Sequence, residues 1–298
     1  ILRNNGTEEQ KQKLYAEVLK GARFGNALAE FKTKTAAQRQ TAIRKTEQGY
    51  VINGEKFYCT GSLFAHRIPT LVVHESEQQF LAFVPRDSEG LTLIDDWSGF
   101  GQRTTGSGTV KFDNVQVLEE DVVRFDTAYT RPTISGPFAQ LLHASIETGI
   151  ARAAFEETLN RVRQARPWID SGVDKATDDP LTKLELGRMV ADVRASEVLL
   201  KQAARSVDTA KANPTETSVA RASLDVAKAR AHSSETALRA SSKLIELAGS
   251  RGSQREDGLD RFWRNARVHT LHDASRWKYY FIANYLLNGV LPPRRGTL

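Results

Sequence analysis

The chain is poor in sulfur. Among 298 residues there is one cysteine, Cys59, and one methionine, Met189. A single cysteine excludes an intramolecular disulfide framework and fits a reducing compartment, so the expected location is the cytoplasm. Long apolar runs are also missing. No stretch approaches the roughly 18–20 consecutive apolar residues of a transmembrane helix. The opening residues, Ile-Leu-Arg-Asn-Asn-Gly, lack the basic-then-apolar layout of a secretory signal. A chain that opens on Ile1 and holds methionine only at position 189 reads as part of a longer protein. Apolar residues at 40% and charged residues at 26% exclude a disordered chain.

Charge is uneven. The formal net charge is +6, and the last 48 residues, from Arg251, hold nine basic residues against four acidic ones. Glu256, Asp257, Asp260 and Asp273 interrupt that run. A nucleic-acid surface would show a continuous basic stripe, so a discrete anion such as phosphate suits it better. Neither nucleic acid nor a membrane is expected as a partner.

The hydrophobic period changes along the chain. Residues 8–22 read as a short helix. Ala42–Lys45 and Tyr50–Ile52 then flank a turn and predict a hairpin, and Asn53-Gly54 reads as a further turn. Short β-branched or aromatic runs follow at residues 70–73, 80–84, 91–94 and 110–112, separated by Gly, Pro and Asp. This punctuation predicts an antiparallel barrel or sandwich. After about residue 138 the period becomes helical. Leu142, Ile146, Ile150 and Ala153 share one face of a helix over 138–165. Met189, Val193, Ser196, Leu200, Ala203 and Val207 step by four and three, as do Val219 through Leu247. Asn213-Pro214 separates these two helices, and Trp277 opens a last one.

Chemistry-bearing motifs are few. Gly99–Gly101 and Gly106–Gly108 precede a strand, not a helix, which excludes a dinucleotide fingerprint. His269, His272 and Asp273 fall at i, i+3, i+4, a spacing that can ligate metal, but no cysteine or carboxylate cluster supports them and no metal is expected. His66, His74, His143 and His232 read as surface or core histidines.

A strand-rich segment followed by a helical bundle resembles the acyl-CoA dehydrogenase superfamily, from Gly6 to about Tyr285. The stretch Gly49–Thr60 resembles that family's flavin-facing strand. Gly99–Arg103 and Val110–Val117 resemble its later barrel strands. Arg264-Asn265-Ala266-Arg267 resembles the lead into its catalytic loop. The resemblance implies an α+β fold, with an antiparallel β-barrel followed by a C-terminal four-helix bundle. Its boundaries would be 1–22 for the tail of an N-terminal helical domain mostly absent from this chain, 23–130 for the barrel and 131–298 for the bundle. By the same match Thr60 hydrogen-bonds a flavin ring, Tyr58 packs on it, and Ser62 lies near its reactive edge.

The departures from the family matter most. A dehydrogenase needs a carboxylate base to remove the substrate's α-proton. At the two positions where family members carry it, this chain has Asp273 and Arg152, with His272 before the Asp. The family's glycine-rich loop for the far half of FAD is here Leu247–Ser253, with Ser250 and Arg251 in it. Glycine suits close approach of a backbone to a pyrophosphate, whereas arginine suits a terminal monophosphate. FMN therefore fits better than FAD. Arg163–Trp168, His272-Asp273 and Asn288–Arg294 resemble the two-component, FMNH2-dependent monooxygenase branch. That resemblance implies reduced FMN from an NAD(P)H-dependent flavin reductase, O2 activation as a C4a-hydroperoxide, and oxygenation of a small organosulfur or related compound by a homotetramer. The implied catalytic residues are His272, Asp273 and Ser62. Tyr58, Thr60, Arg163, Arg166 and Arg251 would bind the cofactor, with Arg163 and Arg166 one turn apart on one helix. Asn26 and Trp97 would line the substrate pocket. An FAD-dependent acyl-CoA dehydrogenase with Asp273 as base is the alternative.

Overall fold

The computed structural model describes residues 1–31 and 39–297. The chain divides into two compact units, Ile1–Gly99 with Arg103–Arg131, and Phe100–Gln102 with Pro132 onward.

The first unit opens with helices α1 (Leu2–Asn5) and α2 (Glu8–Leu19). Thr7 starts α2 through a reciprocal cap: its hydroxyl accepts from the Gln10 amide, and the Gln10 side chain accepts from the Thr7 amide. Seven strands follow: β1 (Ala42–Thr46), β2 (Gly49–Lys56), β3 (Arg67–His74), β4 (Gln79–Pro85), β5 (Leu91–Ile94), β6 (Thr109–Val117) and β7 (Val122–Arg124). They form one sheet in the order β5-β6-β2-β1-β3-β4-β7. All neighbours are antiparallel except β1 and β3, where Ala42 pairs with Val73 in parallel. The fully antiparallel pattern expected from the spacing is thus broken once. The chain leaves β2, passes β1 and returns on the far side of β1, so β3 runs in the direction of β1.

Side-chain alternation gives the sheet two apolar faces. Ile43, Ile52, Val72, Ala82, Val84 and Val115 share one core. Leu71, Leu81, Phe83 and Val123 point the other way and pack with Leu2 and Leu14. Asn53-Gly54 is not a turn. It lies inside β2, where the pairing with β6 slips by one residue between Ile52 and Gly54. Gly54 has φ +145°, and a Cβ there would lie 2.7 Å from the Thr41 backbone, so glycine is required by the close approach of Thr41 and not by a hairpin, while the extra residue of the bulge lies on β6.

The second unit holds α3 (Ser135–Gln164), α4 (Pro180–Ala212), α5 (Glu216–Leu247), α6 (Asp260–His269) and α7 (Arg276–Asn288). Met189 and Val193 of α4 pack with Ala237, Ala240 and Leu244 of α5, while Ala203, Val207 and Ala210 pack with Val219, Ala222 and Val226. The two helices therefore run antiparallel, as the Asn213-Pro214 break predicts. The expected four helices are joined by α6, which covers the Arg264–Arg267 motif. Phe100 stacks on Trp263, centroids 6.1 Å apart, and the Gln102 amide donates to Asn265 Oδ1. The Gly99–Arg103 stretch is therefore loop, not barrel strand.

On helix α3 the apolar face is not the buried one. Leu142 and Ile146 are exposed, not inward. The buried positions of the helix include Gln140, Ala144, Glu147, Ala151, Ala154, Thr158 and Val162, a seam stepping by four and three. The helix turns its small and polar side to its neighbours because a charged partner waits there, as described below. Among the described residues no helix is long and apolar enough to cross a membrane.

Leu244 is fully buried at the centre of the bundle, whereas Leu181 is 70% exposed. Leu244→Ala should cost about 2–5 kcal/mol of stability and Leu181→Ala less than about 1 kcal/mol. Urea unfolding of both variants checks this; equal losses would contradict the packing described.

Candidate functional site

In the first unit the predicted flavin-side residues gather where β2 ends. The backbone turns at Tyr58, which has φ +52°, a left-handed conformation uncommon for a bulky residue. That turn lifts the Tyr58 ring to the surface, 54% exposed. The ring meets Trp97 edge-on at 5.5 Å and Phe31 edge-on at 5.3 Å. The result is an open aromatic ledge. Beside it runs a row of hydroxyls: Thr60 Oγ1 lies 2.8 Å from Ser107 Oγ, which lies 2.7 Å from Thr105 Oγ1. The glycine-rich strip supports this row. The Cys59 amide donates to Gly108 O and the Gly61 amide to Gly106 O. A Cβ on Gly108 would sit 1.8 Å from Ile94 O, so these glycines serve close backbone approach.

Ser62 is 1% exposed, and its hydroxyl donates to Asn26 O at 2.8 Å. The Asn26 amide in turn donates to Thr60 O. Tyr58, Thr60, Ser62, Asn26 and Trp97 thus form one patch, though Ser62 anchors a loop with the proton that was expected to face a ligand. Cys59 is buried, and burial pushes its thiol up to about 12, which leaves it unreactive. Lys56, beneath it, is fully buried against Glu30.

In the second unit His272 and Asp273 lie on the turn between α6 and α7. A turn, unlike a helix, lets neighbouring side chains meet, and His272 Nδ1 lies 3.1 Å from Asp273 Oδ2. The His272 side chain is 52% exposed, while that of Asp273 is 11% exposed. Lys278 Nζ lies 2.9 Å from Asp273 Oδ1, and Gln140 Nε2 donates to Asp273 Oδ2 at 3.2 Å. Burial alone would raise the Asp273 carboxyl. The His272 hydrogen bond and the Lys278 ammonium outweigh it and hold the carboxyl well below the usual carboxylate range.

Behind this pair lies a polar cluster that the sequence reading missed. Glu147 and Arg230 form an ion pair with both side chains fully buried. Ser233 and Ser234 donate to Glu147 Oε2 at 3.1 and 2.7 Å, and His269 Nδ1 lies 3.1 Å from Glu147 Oε1. His269 Nε2 lies 3.2 Å from His143 Nδ1, and the His143 ring stands 4.0 Å from that of His272. The available signal was a glutamate and a histidine at i, i+4 on α3, facing an arginine set among the small residues of α5.

The three predicted phosphate-binding arginines are all exposed, on separate pieces of chain. Arg163 is in the last turn of α3. The helix ends at Gln164 and the chain becomes extended at Ala165, so Arg166 is off the helix and not one turn from Arg163. Arg251 projects from a short 3-10 turn, Ser250–Ser253. Gly249 has φ +71°, and a Cβ on Gly252 would lie 2.8 Å from Ile245 O, so the surviving glycines shape this turn.

A family model described as "Acyl-CoA dehydrogenase, C-terminal domain" matches residues 141–277. The chain is 32% identical to a dibenzothiophene monooxygenase of Rhodococcus qingshengii over 307 residues, 96% of this chain and 73% of that protein. This chain belongs to the acyl-CoA dehydrogenase superfamily, in its dibenzothiophene monooxygenase branch. A probable FMNH2-dependent monooxygenase, SfnC, of Pseudomonas putida is 28% identical across 90% of this chain and 69% of its own. The crystal structure of TdsC from Paenibacillus sp. A11-2 with FMN and indole superposes with a TM-score of 0.93 at 28% identity, covering 100% of this chain and 78% of that one.

Within the superfamily, geometry argues against the dehydrogenase alternative. A general base works best with a pKa near the operating pH. Asp273 is held far below it, and both its oxygens face His272, Gln140 or Lys278. Arg152, at the other base position, is exposed and bonded to Glu156. Each unit by itself offers chemistry that fits FMN: the first an aromatic ledge with hydroxyls for the ring, the second exposed guanidiniums for a monophosphate.

Because the native carboxyl is depressed, Asp273 stabilises the fold above the unfolded carboxylate pKa of about 4. That contribution is lost as pH falls through the native value. Asp273→Asn should be less stable than the native chain at pH 7, with the gap narrowing below about pH 4. Denaturant unfolding at several pH values measures it; a gap independent of pH would contradict the pairing.

Proposed function

We propose that the protein is an FMNH2-dependent monooxygenase acting on a small organosulfur compound, with reduced FMN supplied by a separate NAD(P)H-dependent flavin reductase. The observation that carries this reading is the exposed His272 imidazole backed by an Asp273 carboxylate that cannot serve as a free base. When bound, reduced FMN supplies the two electrons with which O2 delivers one oxygen atom to substrate and the other to water.

The chain's own residues supply the rest. The Tyr58 and Trp97 ledge receives the flavin ring, and the Thr60–Ser107–Thr105 hydroxyls offer hydrogen bonds to its polar edge. Arg163, Arg166 and Arg251 are the candidates for the phosphate. Ser62 and Asn26 fix the loop beside Thr60. Asp273 accepts from His272 Nδ1–H, so Nε2 is the nitrogen left to give or take a proton. That arrangement suits a proton-transfer group, held at one nitrogen and open to solvent at the other. The ledge also offers a planar apolar substrate an aromatic wall.

Apolar side chains support a homotetramer. Phe138, Leu142 and Ile146 form an exposed stripe on α3, and Trp277, Leu286 and Leu287 are exposed on α7. Such stripes mark contact surfaces. The lone buried thiol and the reductase partner suit a cytoplasmic enzyme.

His272→Ala should bind reduced FMN with the affinity of the native protein but divert turnover to H2O2, lowering product formation about 10²–10⁴-fold. Peroxide and sulfoxide yields, measured with a flavin reductase and NADH, check this. Unchanged coupling would remove His272 from the mechanism.

A further inference from the structure

The buried cluster on α3, α5 and α6 ends at the ring of His272, which gives it a use beyond holding the bundle together. A carboxylate only accepts hydrogen bonds, so Glu147 requires the proton of His269 to sit on Nδ1. Arg230 already balances the Glu147 charge, and a second buried cation would stand uncompensated. His269 is therefore neutral and presents a bare Nε2. His143 Nδ1, 3.2 Å away, must be the donor to it. Each ring in the chain Glu147–His269–His143 then has one fixed tautomer and one fixed orientation. Burial, with His272, Arg230 and His269 close by, pushes His143 down to about 3, so this ring stays neutral at working pH. Its outer side stands 4.0 Å from the His272 ring, with 39° between the planes. His272 is thus held from two directions, by Asp273 at Nδ1 and by His143 across its face.

We propose that His143 is a positioning residue for His272, locked by Glu147 and His269 so that the His272 imidazole keeps Nδ1 on Asp273 and presents Nε2 for chemistry. The inference rests on the monooxygenase reading for its consequence, though not for its geometry. Without His143 the His272 ring can turn over, and a displaced donor loses its proton transfer even when Asp273 remains.

The chain has six histidines, so imidazole nitrogen–proton NMR of the nitrogen-15-labelled, flavin-free protein resolves each ring. In the native protein His143 and His269 should both be Nδ1–H tautomers, and His143 should not titrate between about pH 6 and 8, where a free imidazole does. Ordinary titration of His143, or a proton on its Nε2, overturns the proposal without any variant having to fold. In His143→Ala the neutral His272 should shift toward the Nε2–H tautomer, and peroxide leakage with reduced FMN should rise about tenfold or more, the scale of a misplaced catalytic group. An unchanged His272 tautomer in that variant overturns the positioning role. The spectra need no flavin. Failure of native protein to bind reduced FMN would sink the proposed function and leave the tautomer result standing.

Discussion

A carboxylate and a guanidinium with no solvent access face each other inside the helical unit, and much of its local structure depends on that pair. Removing two charges from water costs several kcal/mol each unless the geometry and hydrogen bonds offset it. Glu147 meets that demand with two serines of α5 and one histidine of α6, and Arg230 Nη1 donates to Ser234 Oγ. The demand sets the rotation of α3. To bring Glu147 inward, the helix buries Gln140, Ala144, Ala151 and Ala154, and leaves Leu142 and Ile146 outside. Packing apolar residues inward would have exposed the wrong side.

The same pair reaches the chemistry. Its carboxylate fixes His269, His269 fixes His143, and His143 abuts His272. On the other side Lys278 and Gln140 fix Asp273, and backbone carbonyls of Gly296 and Thr297 accept from those two residues. The proton-bearing side chain is therefore exposed, but every group that orients it is at least partly buried. Such support is what a positioned acid needs, because a donor is useful only within hydrogen-bond reach of the group it serves. The first unit uses a different device: a left-handed Tyr58 and a strip of closely packed glycines raise an aromatic ring and a row of hydroxyls to the surface.

Much of this was legible from residues alone, for reasons that differ by element. The α4 and α5 seams are apolar or small and regularly spaced, so period alone places them. The strands are short and punctuated, so their order along the chain was readable; the parallel pairing of β1 and β3 was not, because it depends on where the chain returns and not on local pattern. Asn53-Gly54 misled because a strand glycine at positive φ, packed against the Thr41 backbone, reads in sequence like a turn glycine. The face of α3 misled because burial of an ion pair overrode the apolar stripe. His272 and Asp273 were found through departures from a family motif. His143, Glu147 and Arg230 were not, since their meaning lies in side chains brought together from three helices. Arg166 was placed on a helix that ends two residues earlier.

The proposed chemistry moves an oxygen atom rather than a hydride. Turnover under 18O2, with reduced FMN, a flavin reductase and dibenzothiophene or a simpler sulfide, tests that claim directly. Monooxygenation yields a sulfoxide or sulfone in which each added oxygen atom carries the label. Unlabelled product, or consumption of an acyl-CoA with no oxygen incorporated, would contradict it.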